Sequence, residues 1–278
     1  MSNPFGTGAL SRRLDVRDYK IGLSQTPTAI PSVYMPTTSL PVKMQGKYGT
    51  CGAHAGSAFV SFANSQDLSP KYLWKRIKQT DGYSLNQGTD MTSIFKTLAN
   101  GGDCHEALCP NELDSTIEAY SDPSVITAQM DDDAYPFGVD HYAFTDYPSM
   151  QQIKQAIYQN KVVIALVDCG DGWYTNAQGY GSWLEKDVCP LRLGRYDSGH
   201  FVLLWGYDEK YIYFRNSWSS AWGRGGDGYF DASYIPHVKE IGVALPSISK
   251  QQKLVNLYTK LVFTLKTLLA SLTAQKAH

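Results

Sequence analysis

The chain has 278 residues, 43% of them hydrophobic and 18% charged, with a formal net charge of -1. This is the composition of a globular protein with a sizeable core, and it excludes a disordered chain. The balanced charge offers no basic face for nucleic acid and no acidic solvating tail.

Met1 to Leu10 contain no basic run followed by an apolar stretch, so no secretory signal is read. No segment reaches the ~18 continuous apolar residues of a membrane span. The expectation is a soluble protein that is cytoplasmic or associated with a virus particle. The cysteines are Cys51, Cys104, Cys109, Cys169 and Cys189. An odd number leaves a thiol unpaired, and without an export signal disulfides are not expected.

In chain order, residues 1–30 read as an extended arm, with Pro4 and Pro27 and little periodicity. Residues 41–50 read as a loop with Gly46 and Gly49. A helix of small residues opens at Cys51, where Gly52, Ala53, Ala55 and Gly56 allow close packing. Ser69-Pro70 is an N-cap followed by a first-turn proline, opening a helix to about Gln79. Asp90 caps another, with Ile94, Phe95 and Leu98 on one face, ending at Gly101-Gly102. Residues 149–160 form a short helix with Ile153, Ala156 and Ile157 inward. The apolar run 161–167 is a buried strand. Residues 201–206 and 211–214 are strands joined through Asp208-Glu-Lys210, and 228–230 is a further short strand. Helices first and strands later make an α+β fold with two lobes. Residues 246–278 are a separate tail. Leu254, Tyr258, Leu261, Leu265, Leu268 and Leu272 step along one face of an amphipathic helix over about 250–275, suited to self-association or docking of a partner.

Four residues from three parts of the chain are candidates to carry the chemistry. Cys51 sits where a glycine-bearing loop becomes a helix, and a helix N-terminus favours a thiolate. Gln45 precedes it by six residues in Gln-Gly-Lys-Tyr-Gly-Thr-Cys, near enough for its amide to reach a developing oxyanion. His200 follows Gly199 at the start of an apolar strand, a rigid place for a general base. Asn216, before Ser217-Trp218, is placed to orient an imidazole. Taken singly, each is more often structural: a buried filler thiol, a strand histidine, a turn asparagine. Other candidates are weaker. Cys104, His105 and Cys109 lack the paired spacing of zinc sites. Asp131-Asp-Asp133 reads as a solvated loop, His54 as an interior residue, and His141 and His237 show no partner.

Together, Gln45…Cys51, Gly199-His200, Asn216-Ser-Trp218 and Trp222-Gly223…Gly228-Tyr229 resemble the papain/cathepsin family of cysteine peptidases. The spacing from Cys51 to His200 is about 150 residues, at the upper end of the ~130–150 of such enzymes. The resemblance runs over about residues 31–235. It implies a papain-like two-lobe fold for residues 31–245: a helical lobe mainly over 41–135, a β-barrel-like lobe mainly over 136–245, and a cleft between. It further implies Cys51 as nucleophile, His200 as base, Asn216 as its orienting partner and Gln45 in the oxyanion hole. Trp218 would cover the His–Asn pair, Gly88 would be the edge that holds extended peptide, and Gly199 would line the cleft. Gly199 supplies no charged wall, so an apolar preference is the default. Tyr48 and Gly52 stand where secreted animal and plant members have Cys and Trp, which makes the chain more similar to microbial or viral members. With about 30 residues before the core, no long helical pro-segment is expected.

The implied function is a thiol endopeptidase acting on protein or peptide through an acyl-enzyme, with no cofactor, no metal and no nucleic-acid partner. Two other readings are a papain-fold module with a structural or binding role in a larger assembly such as a virus particle, and a transferase or amidase on the same fold. The intact set Gln45, Cys51, His200 and Asn216 argues against lost catalysis in the former, though not against an added structural role. The asparagine at 216 argues against the latter.

Overall fold

Cys51–Asn64 form helix α1, and the glycines within it explain where it lies. A Cβ on Gly52 would stand 2.5 Å from Thr89 Cγ2 and 3.3 Å from Phe201, and one on Gly56 would stand 2.7 Å from Ile94. Only a helix with bare backbone at these points approaches its neighbours so closely. The computed structural model describes residues 5–12, 29–37, 40–174 and 196–245. The tail helix expected over 250–275, and Cys189, lie outside the described residues.

Helix α2, Pro70–Lys78, is capped by Ser69, whose hydroxyl accepts the Tyr72 N–H. Helix α3, Met91–Asn100, is capped by Asp90, which accepts the Ser93 N–H. Both caps stand where the sequence places them. Two short helices follow, α4 at Ile117–Ser121 and α5 at Ala128–Ala134. Helix α6, Met150–Asn160, opens with a full capping box between Ser149 and Gln152. No described helix is long and apolar enough to cross a membrane.

The strands are β1 (Ala9–Leu10), β2 (Thr89–Asp90), β3 (His141–Asp146), β4 (Val163–Gly170), β5 (Tyr196–Tyr207), β6 (Ile212–Arg215), β7 (Asp227–Phe230) and β8 (Val238–Leu245). They form one sheet in the order β2-β1-β5-β4-β8-β3, with β6 paired to β5 and β7 to β6. All pairings are antiparallel except β1 with β2. The sheet stays open rather than closing into a barrel. Along β4 and β5 the side chains alternate between two cores. Ile164, Leu166, Phe201 and Leu203 pack with α1, α2 and α3, while Ala165, Val167, Val202 and Leu204 pack with α6 and a group of tryptophans. The sheet therefore separates the core under α1, α2 and α3 from the core under α6, and His200 lies on its strand β5.

Asp131 to Asp133 do not form the solvated loop expected. They lie on α5, where Asp131 pairs with Arg76 and accepts the Tyr72 hydroxyl, and Asp133 pairs with His105. His237 also has a partner that the sequence did not reveal, Asp168 at 3.0 Å. In each case the partner comes from a distant part of the chain.

Candidate active site

Cys51 is the first residue of α1 and is fully buried. Burial pushes its thiol up to about 11, against the smaller opposing pull of the Phe201, Gly8, Gly52 and Cys51 backbone N–H groups. The Phe201 N–H belongs to the residue after His200, so the sulfur lies against β5.

His200 is also fully buried. Its Nε2 lies 2.8 Å from Asn216 Oδ1, and the Ser217 N–H donates to that same oxygen at 2.7 Å. An atom that accepts from a backbone N–H is the oxygen of the amide, so Nε2 carries the proton and donates. His200 Nδ1 is then a buried lone pair, and it has no hydrogen-bond partner among the described residues. Burial lowers the imidazole to about 4, with the Asn216 hydrogen bond acting in the opposite direction. Trp218 lies over the ring at 4.8 Å between centroids, and Trp173 meets it edge-on at 5.8 Å. These indoles exclude water from the His200–Asn216 bond.

Gln45 is fully buried, and its main chain is tied to the Asn216–Trp218 segment, with its N–H donating to the Ser217 carbonyl at 2.9 Å. The Ser217 hydroxyl donates to Gln45 Oε1 at 2.5 Å. The amide nitrogen therefore faces the other way and donates to the Gly6 and Tyr48 carbonyls, each at 2.8 Å.

That Gly6 carbonyl belongs to a segment that lies along the cleft. Phe5 stacks on Trp218 at 4.9 Å with the rings 8° apart. The Gly8 carbonyl accepts the Thr89 N–H at 3.0 Å, and the Gly8 N–H faces the Cys51 thiol. Ala9 then pairs with Thr89 on one side and Gly199 on the other. Gly88 and Gly199, the two glycines expected at the peptide path, make room for this strand. Gly88 has φ +80, and a Cβ on it would stand 1.8 Å from the Gly8 oxygen; one on Gly199 would stand 2.6 Å from the Ala9 oxygen. The structure thus gathers Gln45, Cys51, Gly88, Gly199, His200, Asn216 and Trp218 around one extended chain segment.

Phe5, Trp173 and Ser217 were not identified as site residues from the sequence. Gly6-Thr-Gly8 held a usable signal, since alternate glycines mark backbone that must approach something closely. His54 packs in the interior as expected, with Nδ1 donating to the Thr50 carbonyl at 3.0 Å. Cys104 and Cys109 are buried free thiols, Cys169 is buried with its Sγ 3.6 Å from the Tyr174 hydroxyl, and the described residues hold no cluster able to bind a metal ion.

The papain family cysteine protease model matches residues 37–244. Among curated proteins, Peptidase 1 of Dermatophagoides farinae is 26% identical over 207 residues, covering 70% of this chain and 58% of its own length. The chain thus spans a little over half of such relatives. Among solved structures, xylellain, a cysteine protease from Xylella fastidiosa, superposes with a TM-score of 0.68 at 20% identity, over 88% of this chain and 98% of that one. Procathepsin B S9 from Trypanosoma congolense gives 0.64 at 14% identity, over 87% and 86%. With three quarters of its length matched by the family model and the same architecture in these neighbours, the chain belongs to the papain family of cysteine proteases.

Proposed function

We propose that this chain is a thiol endopeptidase, its peptidase domain spanning residues 31–245, which cleaves peptide bonds through an acyl-enzyme on Cys51. The observation that carries the reading is the fixed tautomer of His200. Nε2–H is held by Asn216 Oδ1, leaving Nδ1 as a buried base with no other occupation. In the reaction the Cys51 proton passes to Nδ1 and the sulfur attacks the peptide carbonyl carbon. The carbonyl oxygen takes the negative charge, received by the Gln45 amide and the Cys51 N–H. The imidazolium then protonates the leaving amine. Neutral His200 next activates a water that breaks the thioester, which regenerates the thiol and releases the acid.

An endopeptidase is favoured because the cleft accepts chain on both sides of the thiol, from Phe5 on Trp218 to Leu10 opposite Asp90. The resident segment runs past the thiol and pairs with Thr89 and Gly199 on either side, so it must leave before a peptide binds. The test is digestion of a peptide library by wild type and Cys51→Ala. Discrete cleavage sites lost in the variant support the reading; no cleavage by wild type, even after residues 5–12 are displaced by limited proteolysis, would refute it.

A further inference from the structure

Lys78 is the last residue of α2, and its side chain is enclosed, with only 3% exposed. Its ammonium has three N–H bonds and meets three acceptors. It donates to Asp81 Oδ2 at 2.9 Å, to the Ser84 carbonyl at 3.2 Å and to the Gly88 carbonyl. The centre of the Trp74 ring lies 4.6 Å from Nζ, and that of the Tyr83 ring 5.9 Å. The Asp81 side chain is itself covered, and its other oxygen accepts the Tyr83 N–H at 3.1 Å. The Tyr83 hydroxyl donates to Asp90, the cap of α3, at 2.9 Å. The turn over 81–88 is thus gathered on one cation.

The bond to Gly88 reaches the cleft. The Gly88 carbonyl and the Thr89 N–H are opposite ends of one planar amide. The Thr89 N–H donates to the Gly8 carbonyl of the resident segment at 3.0 Å. A cation on the oxygen of this amide acts on its hydrogen in two ways. It polarises the group, which strengthens the N–H as a donor. It also fixes the plane. Gly88 sits at φ +80, and a glycine lets the amide beside it turn over at little cost. With its oxygen held by Lys78, the amide keeps its hydrogen toward the cleft.

Lys75, one turn earlier on α2, shows the plainer use of a buried lysine. Its ammonium donates to the Tyr120 and Asp122 carbonyls at 2.8 and 2.9 Å and so closes the end of α4, far from any substrate path. All three Lys78 bonds go instead to the turn that ends at Gly88. Enclosing an ammonium is costly unless each N–H is met, so this geometry is held tightly once formed.

We infer that Lys78 is a positioning residue for substrate binding: it holds the Gly88–Thr89 amide so that the Thr89 N–H binds a main-chain carbonyl of the peptide, as it binds Gly8 of the resident segment. The inference rests on the peptidase reading for its substrate. The competing role is structural, a lysine that closes the turn and does nothing for the bound chain.

The test uses the full chain carrying Lys78→Met, which keeps an apolar stem and removes the charge. Without catalysis, deuterium exchange of the Thr89 amide is followed beside those of Leu73 in α2 and Leu98 in α3. Exchange at Thr89 should quicken about 5- to 10-fold, the weight of one hydrogen bond, with the helix amides unchanged. With catalysis, a cleaved peptide is compared with versions in which the main-chain carbonyl oxygen of each of the three residues before the scissile bond is replaced, one at a time, by sulfur, a weaker acceptor. At one position the sulfur should raise KM about 5- to 10-fold in wild type and less than about 2-fold in Lys78→Met, with kcat little changed. Each ratio is taken within one enzyme, so release of the resident segment cancels from it. A turn-closing lysine would leave the sulfur penalty equal in both enzymes, and that result overturns the inference. So does exchange at Thr89 that is unchanged, or that rises no more than in α2 and α3. If no peptide is cleaved by either enzyme while Thr89 exchange quickens as stated, the peptidase reading falls and the hold of Lys78 on the edge stands. If Lys78→Met does not fold, Lys78→Gln, which keeps a neutral donor, takes its place with the same readouts.

Discussion

The hydroxyl of Ser217 donates to Gln45 Oε1 at 2.5 Å, while the Ser217 N–H donates to Asn216 Oδ1 at 2.7 Å. One residue thereby orients two amides, one that faces the oxyanion position and one that holds the imidazole. Ser217→Ala keeps the backbone N–H and loses only the first of these. It should lower kcat about 5-fold with KM little changed, because the hydrogen bond of about 1 kcal/mol that aims the Gln45 amide is lost. Gln45→Ala should cost more, about 10- to 1000-fold in kcat. Steady-state kinetics on one peptide compares the two; a Ser217→Ala enzyme with unchanged kcat would remove that hydroxyl from the mechanism.

The ionisation of Cys51 and His200 gives a second expectation. With the thiol pushed up to about 11 and the imidazole down to about 4, both are neutral between those values. Thiolate absorbance, taken as wild type minus Cys51→Ser, should therefore be absent at pH 7 in the intact chain and emerge only as pH rises toward 11. Once residues 5–12 are displaced, water and the freed helix terminus stabilise the charged pair, and thiolate should be present at neutral pH. Thiolate at pH 7 in the intact chain would contradict the neutral pair.

Phe5 is the resident segment's main apolar contact, stacked on Trp218 and 4% exposed. Phe5→Ala should loosen the segment, and the rate of Cys51 alkylation by iodoacetamide should rise about 2- to 10-fold, the range for loss of an aromatic stack. An unchanged rate would mean that Phe5 contributes nothing to holding the segment over the thiol.

Gly88 admits no side chain. Its φ of +80 strains any L-residue by about 1–2 kcal/mol, and a Cβ would fall 1.8 Å from the strand lying beside it. Gly88→Ala should raise KM for peptides more than about 10-fold with a smaller change in kcat, since the collision is with bound backbone rather than with the reacting atoms. Circular dichroism should show the helices intact.

Much of this site was legible before the fold. The helix beginning at Cys51, the caps Ser69 and Asp90, the helix over 149–160 and the β5–β6 hairpin all rest on contacts between near neighbours in sequence, and each stands where it was read. What was missed depends on distant partners. Strand β1 is two residues long and exists only because Thr89 and Gly199 flank it. Strands β3 and β8 pair with each other across almost a hundred residues, and β8 interrupts its apolar pattern with Lys239 and Glu240. Nothing local distinguishes Arg12 from its neighbour Arg13, and its partners are Asp146 and Glu240. The open sheet, where a barrel-like lobe was expected, is likewise a matter of strand closure that no local pattern encodes.

Among the described residues, strand β2 joins the sheet solely through β1, because the order is β2-β1-β5. Whatever draws residues 5–12 out of the cleft therefore also detaches Thr89 and Asp90 and leaves the edge of β5 open around Gly199. The amide of Thr89, bonded to the Gly8 carbonyl, would change from protected to freely exchanging with solvent in the same event. Deuterium uptake at that one amide then serves as a clock for the cleft: its exchange rate counts how often the protein stands open, with no substrate present.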